Sequence, residues 1–198
     1  MHSQESVHGD LRGVWFQTFD SDLPSDACPQ KTSILVNQSG RALLVGFGFP
    51  TITSGTNAGA TRWMSPELLY PEHFGFTDSQ PTKESDCYAL GMVILEVLSG
   101  EVPFAHLKDI LVTGRVIEGE HPTRPEGGWF TDDLWKFLEQ CWSSKPGDRP
   151  TAETVLGCLE QVSSTLQHLP PSTEVGVEMD GNEPVSIHDL EVHIYLNL

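Results

Sequence analysis

Ser85-Asp86-Cys87-Tyr88-Ala89-Leu90-Gly91-Met92-Val93-Ile94-Leu95-Glu96-Val97-Leu98-Ser99-Gly100-Glu101-Val102-Pro103-Phe104 is the stretch on which the fold turns. From Tyr88 to Leu98 it is apolar on almost every side, interrupted only by Glu96. A helix with no wet face must be surrounded by protein. Glu84-Ser85-Asp86 offers an Asp or Ser N-cap, and Gly100 offers a stop. The run is too short to cross a bilayer. It therefore predicts the central buried helix of a globular domain.

The flanks supply partners for such a helix. A second helix is expected from His106 to about Glu118. A third is expected from Thr131 to about Trp142, with Leu134, Phe137, Leu138 and Cys141 at helical spacing. A fourth starts at Thr151, behind Pro150, with Val155, Leu156, Leu159 and Val162 on one face. On the other side, Ile34-Leu35-Val36 and Ala42-Leu43-Leu44-Val45 flank the polar Asn37–Gly40 and read as a short hairpin. Residues 14–33 mix Asp, Ser, Pro and Gln without period and read as a loop. Gly46 to Trp63 is rich in Gly, Thr and small residues and reads as a flexible segment. Beyond Pro170 the chain is acidic and rich in Pro, Gly and Ser, so 166–198 is expected to be a mostly disordered tail. Its last stretch, Leu190 to Leu198, alternates with period two and suits an edge strand.

The chain has 198 residues, 11 basic and 28 acidic, for a formal charge of −17. That balance repels phosphate, which argues against a nucleic-acid or anionic-membrane surface. Cys28, Cys87, Cys141 and Cys158 show no CxxC spacing and read as reduced thiols. The polar start, Met1-His2-Ser3-Gln4-Glu5-Ser6-Val7, is unlike a signal peptide. A cytoplasmic or nuclear location is the expectation. His188 and His193 lack metal-site companions and read as surface or edge histidines.

Three islands then arrive in order: His8-Gly9-Asp10-Leu11, Gly46-Phe47-Gly48 and Trp63-Met64-Ser65-Pro66-Glu67. They resemble the catalytic loop, the D-F-G turn and the A-P-E end of the activation segment of protein kinases. The stretch from Ser85 to Phe104 resembles the central helix of the kinase C-terminal lobe. Cys141-Trp142 and Pro146-Gly147-Asp148-Arg149-Pro150-Thr151 resemble the closing helix and loop of that lobe. The Trp-Met and Cys-Trp pairs favour the tyrosine-kinase-like branch, whose members mostly phosphorylate Ser or Thr. The resemblance runs from about Val7 to about Val162. It implies a mainly α fold, a kinase-like C-lobe with a short β-hairpin. Residues 1–13 are then a catalytic-loop remnant, 14–33 an inserted loop and 34–165 the lobe. Only seven residues precede His8, so the N-lobe with its Gly-rich loop and strand Lys is expected to be absent. The helix that the family packs beside the central one is expected to be absent too. The central helix should accordingly leave an apolar face uncovered, making the chain sticky and prone to capture by a protein partner or chaperone.

Phosphoryl transfer needs a base, metal ions on the phosphates and a nucleotide cradle. In the resemblance Asp10 holds the base position, and Arg12 stands where a Lys often contacts the transferred phosphate. The family binds ATP with magnesium, but the two residues that should ligate the metal are Trp15 and Gly46. Counting back from Ile34 puts Ser33 in place of Trp15. Magnesium demands hard oxygen donors, which an indole and a glycine lack. No cofactor is therefore expected. Gly9 replaces the Arg that receives an activation-loop phosphate, and Ala60 replaces a Thr that contacts the base. His8 and Phe47 are expected to pack beneath the site, Asp86 to bind the catalytic-loop backbone, and Glu67 with Arg149 to form a buried ion pair. Trp15 to Thr32 interrupts the tightest part of the catalytic loop, which suggests an unspliced intron or a relic of gene decay.

Overall fold

A computed structural model of the chain describes residues 7–16, 33–36, 42–44, 60–126 and 130–167. The architecture is mainly helical. Three short strands, β1 (Val14–Phe16), β2 (Ile34–Val36) and β3 (Ala42–Leu44), precede five helices. These are α1 (Pro66–Leu69), α2 (Lys83–Ser99), α3 (Asp109–Ile117), α4 (Asp132–Cys141) and α5 (Ala152–Gln167). β2 and β3 pair antiparallel in the register Ile34↔Leu44, as the hairpin reading requires. β1 pairs parallel with β2, Val14 opposite Ile34. This corrects part of the sequence reading, because Val14–Phe16 belongs to the sheet and not to the loop assigned to 14–33. Residues 17–32 and the tail beyond 167, including Leu190 to Leu198, lie outside the described residues. α5 runs two residues past the boundary drawn at 165.

α2 is the axis of the lobe. Its N-cap is Thr82, one turn earlier than the Asp or Ser proposed from sequence. Thr82 Oγ1 accepts from the Ser85 amide at 3.1 Å, and Ser85 Oγ accepts from the Thr82 amide at 2.9 Å. This reciprocal box satisfies two orphan donors, so the cap does not draw on Asp86. At the far end Gly100 adopts φ 73° and donates its amide to Glu96 O at 2.9 Å. Few side chains tolerate that left-handed conformation. Midway, Gly91 lets α4 come close. A Cβ at Gly91 would lie 2.8 Å from both Cys141 Cβ and Trp142 Nε1.

Val93, Ile94 and Leu95 are buried, and Leu98 packs partly against the core. Of the large apolar residues named on this helix, only Val97 is substantially exposed, at 42%. The expected uncovered face is therefore not present. α4, α5, the 3-10 turn at Thr61–Trp63 and β1 all lie against α2. The sequence reading had no partner in β1 because it took those residues for loop.

α3 starts later than expected, at Asp109 instead of His106. The carbonyls of Pro103, Phe104 and Leu107 are occupied by the guanidinium of Arg62, and Phe104 holds a left-handed φ of 56°. Helix cannot propagate through backbone held this way. Val112 and Val116 fix α3 to the core. α4 begins at a Thr131 cap, which accepts from the Leu134 amide at 3.3 Å, and buries Leu134, Leu138 and Cys141. Cys87, Cys141 and Cys158 are free thiols, and burial pushes Cys87 up to about 11 and Cys141 up to about 12.

Candidate catalytic loop and its anchors

Residues 8–12 are held by their backbone. The Asp86 carboxylate on α2 accepts from the His8 amide at 2.6 Å and the Gly9 amide at 2.9 Å. A carboxylate is the natural acceptor here, since charge-assisted bonds to amides are the stronger kind. Gly9 takes φ 81° over Pro81, whose ring carbons would stand 3.2 Å from a Cβ at position 9. The loop then turns back on itself, with the Asp10 amide donating to His8 Nδ1 at 3.2 Å. His8 is buried beneath it. On the far side of residues 15–32 the chain returns to the same place. Ser33 Oγ donates to the Asp10 carbonyl, and the Ser33 amide donates to Arg12 O at 2.7 Å.

The Asp10 side chain is partly buried and lies 3.1 Å from Arg12 Nη2. Burial raises its pKa above the ordinary 3.8, while the charges of Arg12 and His8 oppose the rise. Gly46 and Phe47 lie outside the described residues. Trp15 lies in β1 opposite Leu35, so the position after the catalytic loop is part of the sheet.

A second anchor sits behind the loop. Arg149 donates to both Glu67 carboxylate oxygens, at 2.6 and 2.7 Å. The two side chains are 0% and 5% exposed. Arg149 also donates to Ser143 O at 2.9 Å and Glu84 O at 3.0 Å, and its guanidinium lies 5.1 Å from the Tyr88 ring centre. All three guanidinium nitrogens are thus engaged, which makes this burial tolerable. The pair ties α1 to the front of α2 and to the loop before α5.

The segment matching a model of the "Protein tyrosine and serine/threonine kinase" family is residues 34–159. The chain belongs to the protein kinase family. It is 30% identical over 144 residues to serine/threonine-protein kinase VIK of Arabidopsis thaliana, covering 67% of this chain and 31% of that protein. It is 26% identical over 160 residues to cytokinesis protein sepH of Aspergillus niger, covering 79% of this chain and 10% of that one. The chain therefore spans well under two thirds of either relative.

By the family resemblance, the two magnesium-ligand positions fall on residues that carry no hard oxygen donor. Trp15 offers an indole on a strand, and Gly46 offers no side chain. Ser33, the other residue aligned with the Trp15 position, spends its hydroxyl hydrogen on the Asp10 carbonyl. Among the described residues no cluster of three His, Cys, Asp or Glu side chains is arranged to hold a metal. Ala60, which the family resemblance puts in place of a Thr that contacts the base, is buried.

One anchoring residue escaped the sequence reading. Arg62 is largely buried and donates to Pro103 O at 2.7 Å, Phe104 O at 2.8 Å and Leu107 O at 2.7 Å, with Asp109 Oδ1 at 2.8 Å from Nε. Next to it, Trp63 Nε1 donates to Glu96 Oε2 at 3.0 Å. Three of the Arg62 partners are backbone carbonyls, which leave no trace in side-chain pattern. The available signal is a cation directly before the apolar Trp63-Met64 pair.

Proposed function

We propose that this chain is a Ser/Thr-type kinase module that transfers no phosphate and serves by binding other proteins. The observation that carries this reading is the pair Trp15 and Gly46 at the positions of the family's two metal ligands. Metal ions supply several kcal/mol of charge stabilisation in phosphoryl transfer, and no described side chain replaces them. Asp10 remains at the base position, where its carboxylate pairs with Arg12 at 3.1 Å. The strongly acidic chain, at −17, favours protein partners over nucleic acid or anionic membrane.

A second reading, an active Ser/Thr kinase, draws support from the ordered catalytic loop: Asp86 still grips His8 and Gly9 as an active loop would need. Binding of a fluorescent ATP analogue with and without magnesium separates the two. The proposal expects no magnesium-dependent gain in affinity, and no transfer to generic protein substrates that Asp10→Asn abolishes. It also expects Gly46→Asp alone to restore nothing, because the second ligand is still missing. Asp10-dependent turnover above background establishes the second reading instead.

A further inference from the structure

The turn between α1 and α2 exposes an aromatic surface that the kinase-fold core does not use. Tyr70 is 46% exposed and Phe76 43%, and His73 between them is exposed as well. The Tyr70 and His73 rings stack with centres 5.7 Å apart and planes 9° apart, and His73 meets the edge of Phe74 at 5.1 Å. Large rings left in water this way mark a contact surface more often than a lone exposed leucine does. The backbone beneath them is fixed. Pro71 starts a 3-10 turn, the Gly75 amide donates to Glu72 O at 3.2 Å and the Phe76 amide to Pro71 O at 3.0 Å. Ser79 Oγ donates to Leu68 O at 3.0 Å and closes the loop onto α1. A preformed surface loses little entropy on binding.

Charge selects the occupant. Between Arg62 and Lys83 the chain has no Lys or Arg. Of its three carboxylates Glu67 is consumed by Arg149, while Glu72 and Asp78 are exposed on the turn itself. Ring faces flanked by carboxylates attract planar cations, through the ring quadrupole and through direct charge.

We propose that the Tyr70–Phe76 turn docks an arginine-rich extended segment of a partner protein, with guanidinium groups stacked on Tyr70, His73 and Phe76 and steered by Glu72 and Asp78. The proposal uses no residue of the Asp10 loop, so it stands whether or not the chain transfers phosphate.

Fluorescence anisotropy of a short labelled peptide of alternating arginine and glycine, at an ionic strength of about 0.15 M, tests it. The double variant Tyr70→Ala/Phe76→Ala leaves net charge unchanged and is expected to weaken binding about tenfold. Glu72→Gln/Asp78→Asn is expected to weaken it more than Glu153→Gln/Glu160→Gln, which removes the same charge from the exposed face of α5. The unmodified chain should prefer the arginine peptide to its lysine counterpart severalfold, a readout that needs no variant to fold. Equal affinity for both peptides, or binding insensitive to the aromatic pair, overturns the proposal and leaves only bulk attraction to an acidic protein. Self-association lost in the aromatic variant, with no peptide binding, also overturns it and assigns the surface to a second copy of the chain.

Discussion

Asp86 and Arg149 both fasten distant chain to the front of α2, and they differ in what they grip. Asp86 grips backbone, the amides of His8 and Gly9. Arg149 grips the Glu67 side chain through both carboxylate oxygens, besides the Ser143 and Glu84 carbonyls, and is enclosed with it. An anchor on backbone makes no demand of its own on the side chains of the loop it holds, and the demand for glycine at position 9 comes from its φ of 81° instead. The loop can therefore keep its shape even if, as the family resemblance implies, Gly9 and Trp15 stand where the family has other residues. An anchor on a side chain has no such freedom, and there both partners match the family.

The comparison is tested hardest at the ion pair. Arg149→Ala or Glu67→Ala strands one buried charge and should cost roughly 3–5 kcal/mol. Glu120→Ala, which breaks the exposed Arg115–Glu120 pair, should cost less than about 1 kcal/mol. Urea unfolding at neutral pH measures all three. Equal losses would mean that the Glu67 pair is not enclosed in solution.

A smaller and more local effect is expected at Asp86. Asp86→Ala leaves the His8 and Gly9 amides without their acceptor, and a hydrogen bond to a charged group contributes roughly 1.5–3 kcal/mol. Hydrogen exchange should show both amides losing protection while those of Val93 and Leu95 inside α2 keep theirs. Loss of protection throughout α2 would erase the distinction between the two anchors, because the loop would then be part of the core's cooperativity.

The same distinction explains what could be read from the sequence. The central helix, the hairpin and the last two helices were legible because apolar period and cap residues act locally. Glu67, Asp86 and Arg149 were legible only through ordered motifs, since partners 82 residues apart share no local pattern. Where the partner was backbone and no family motif marked the side chain, reading failed. The Arg62 grip on the carbonyls of Pro103, Phe104 and Leu107 delays α3 and could not be inferred from side chains. β1 was missed for a related reason: Val14–Phe16 pairs in parallel with a strand eighteen residues further on, and three residues carry too little alternation to announce a strand. The expectation of a bare face on α2 rested on the neighbouring helix of the family, and it did not count β1 among the elements that lie against α2.

The smallest effect concerns two aspartates whose pKa values move in opposite directions. Asp10, in the loop, is raised by burial against the pull of Arg12 and His8. Asp132, at the exposed start of α4, is lowered by its bond to Arg124 at 2.8 Å. A raised carboxyl holds its proton more tightly in the folded state than in the unfolded chain. Its contribution to stability is most favourable below the unfolded pKa and is lost as pH rises through the folded one. A lowered carboxyl contributes above the unfolded pKa and loses that contribution as pH falls through the folded value. Asp10→Asn should therefore gain stability relative to the parent between pH 3 and pH 7, and Asp132→Asn should lose it over the same interval. Carboxyl NMR titrations should place the Asp10 midpoint above 3.8 and the Asp132 midpoint below it. An Asp10 midpoint below 3.8 would mean that Arg12 outweighs burial. The loop would then hold its base as a well-paired carboxylate, closer to the state an active kinase requires.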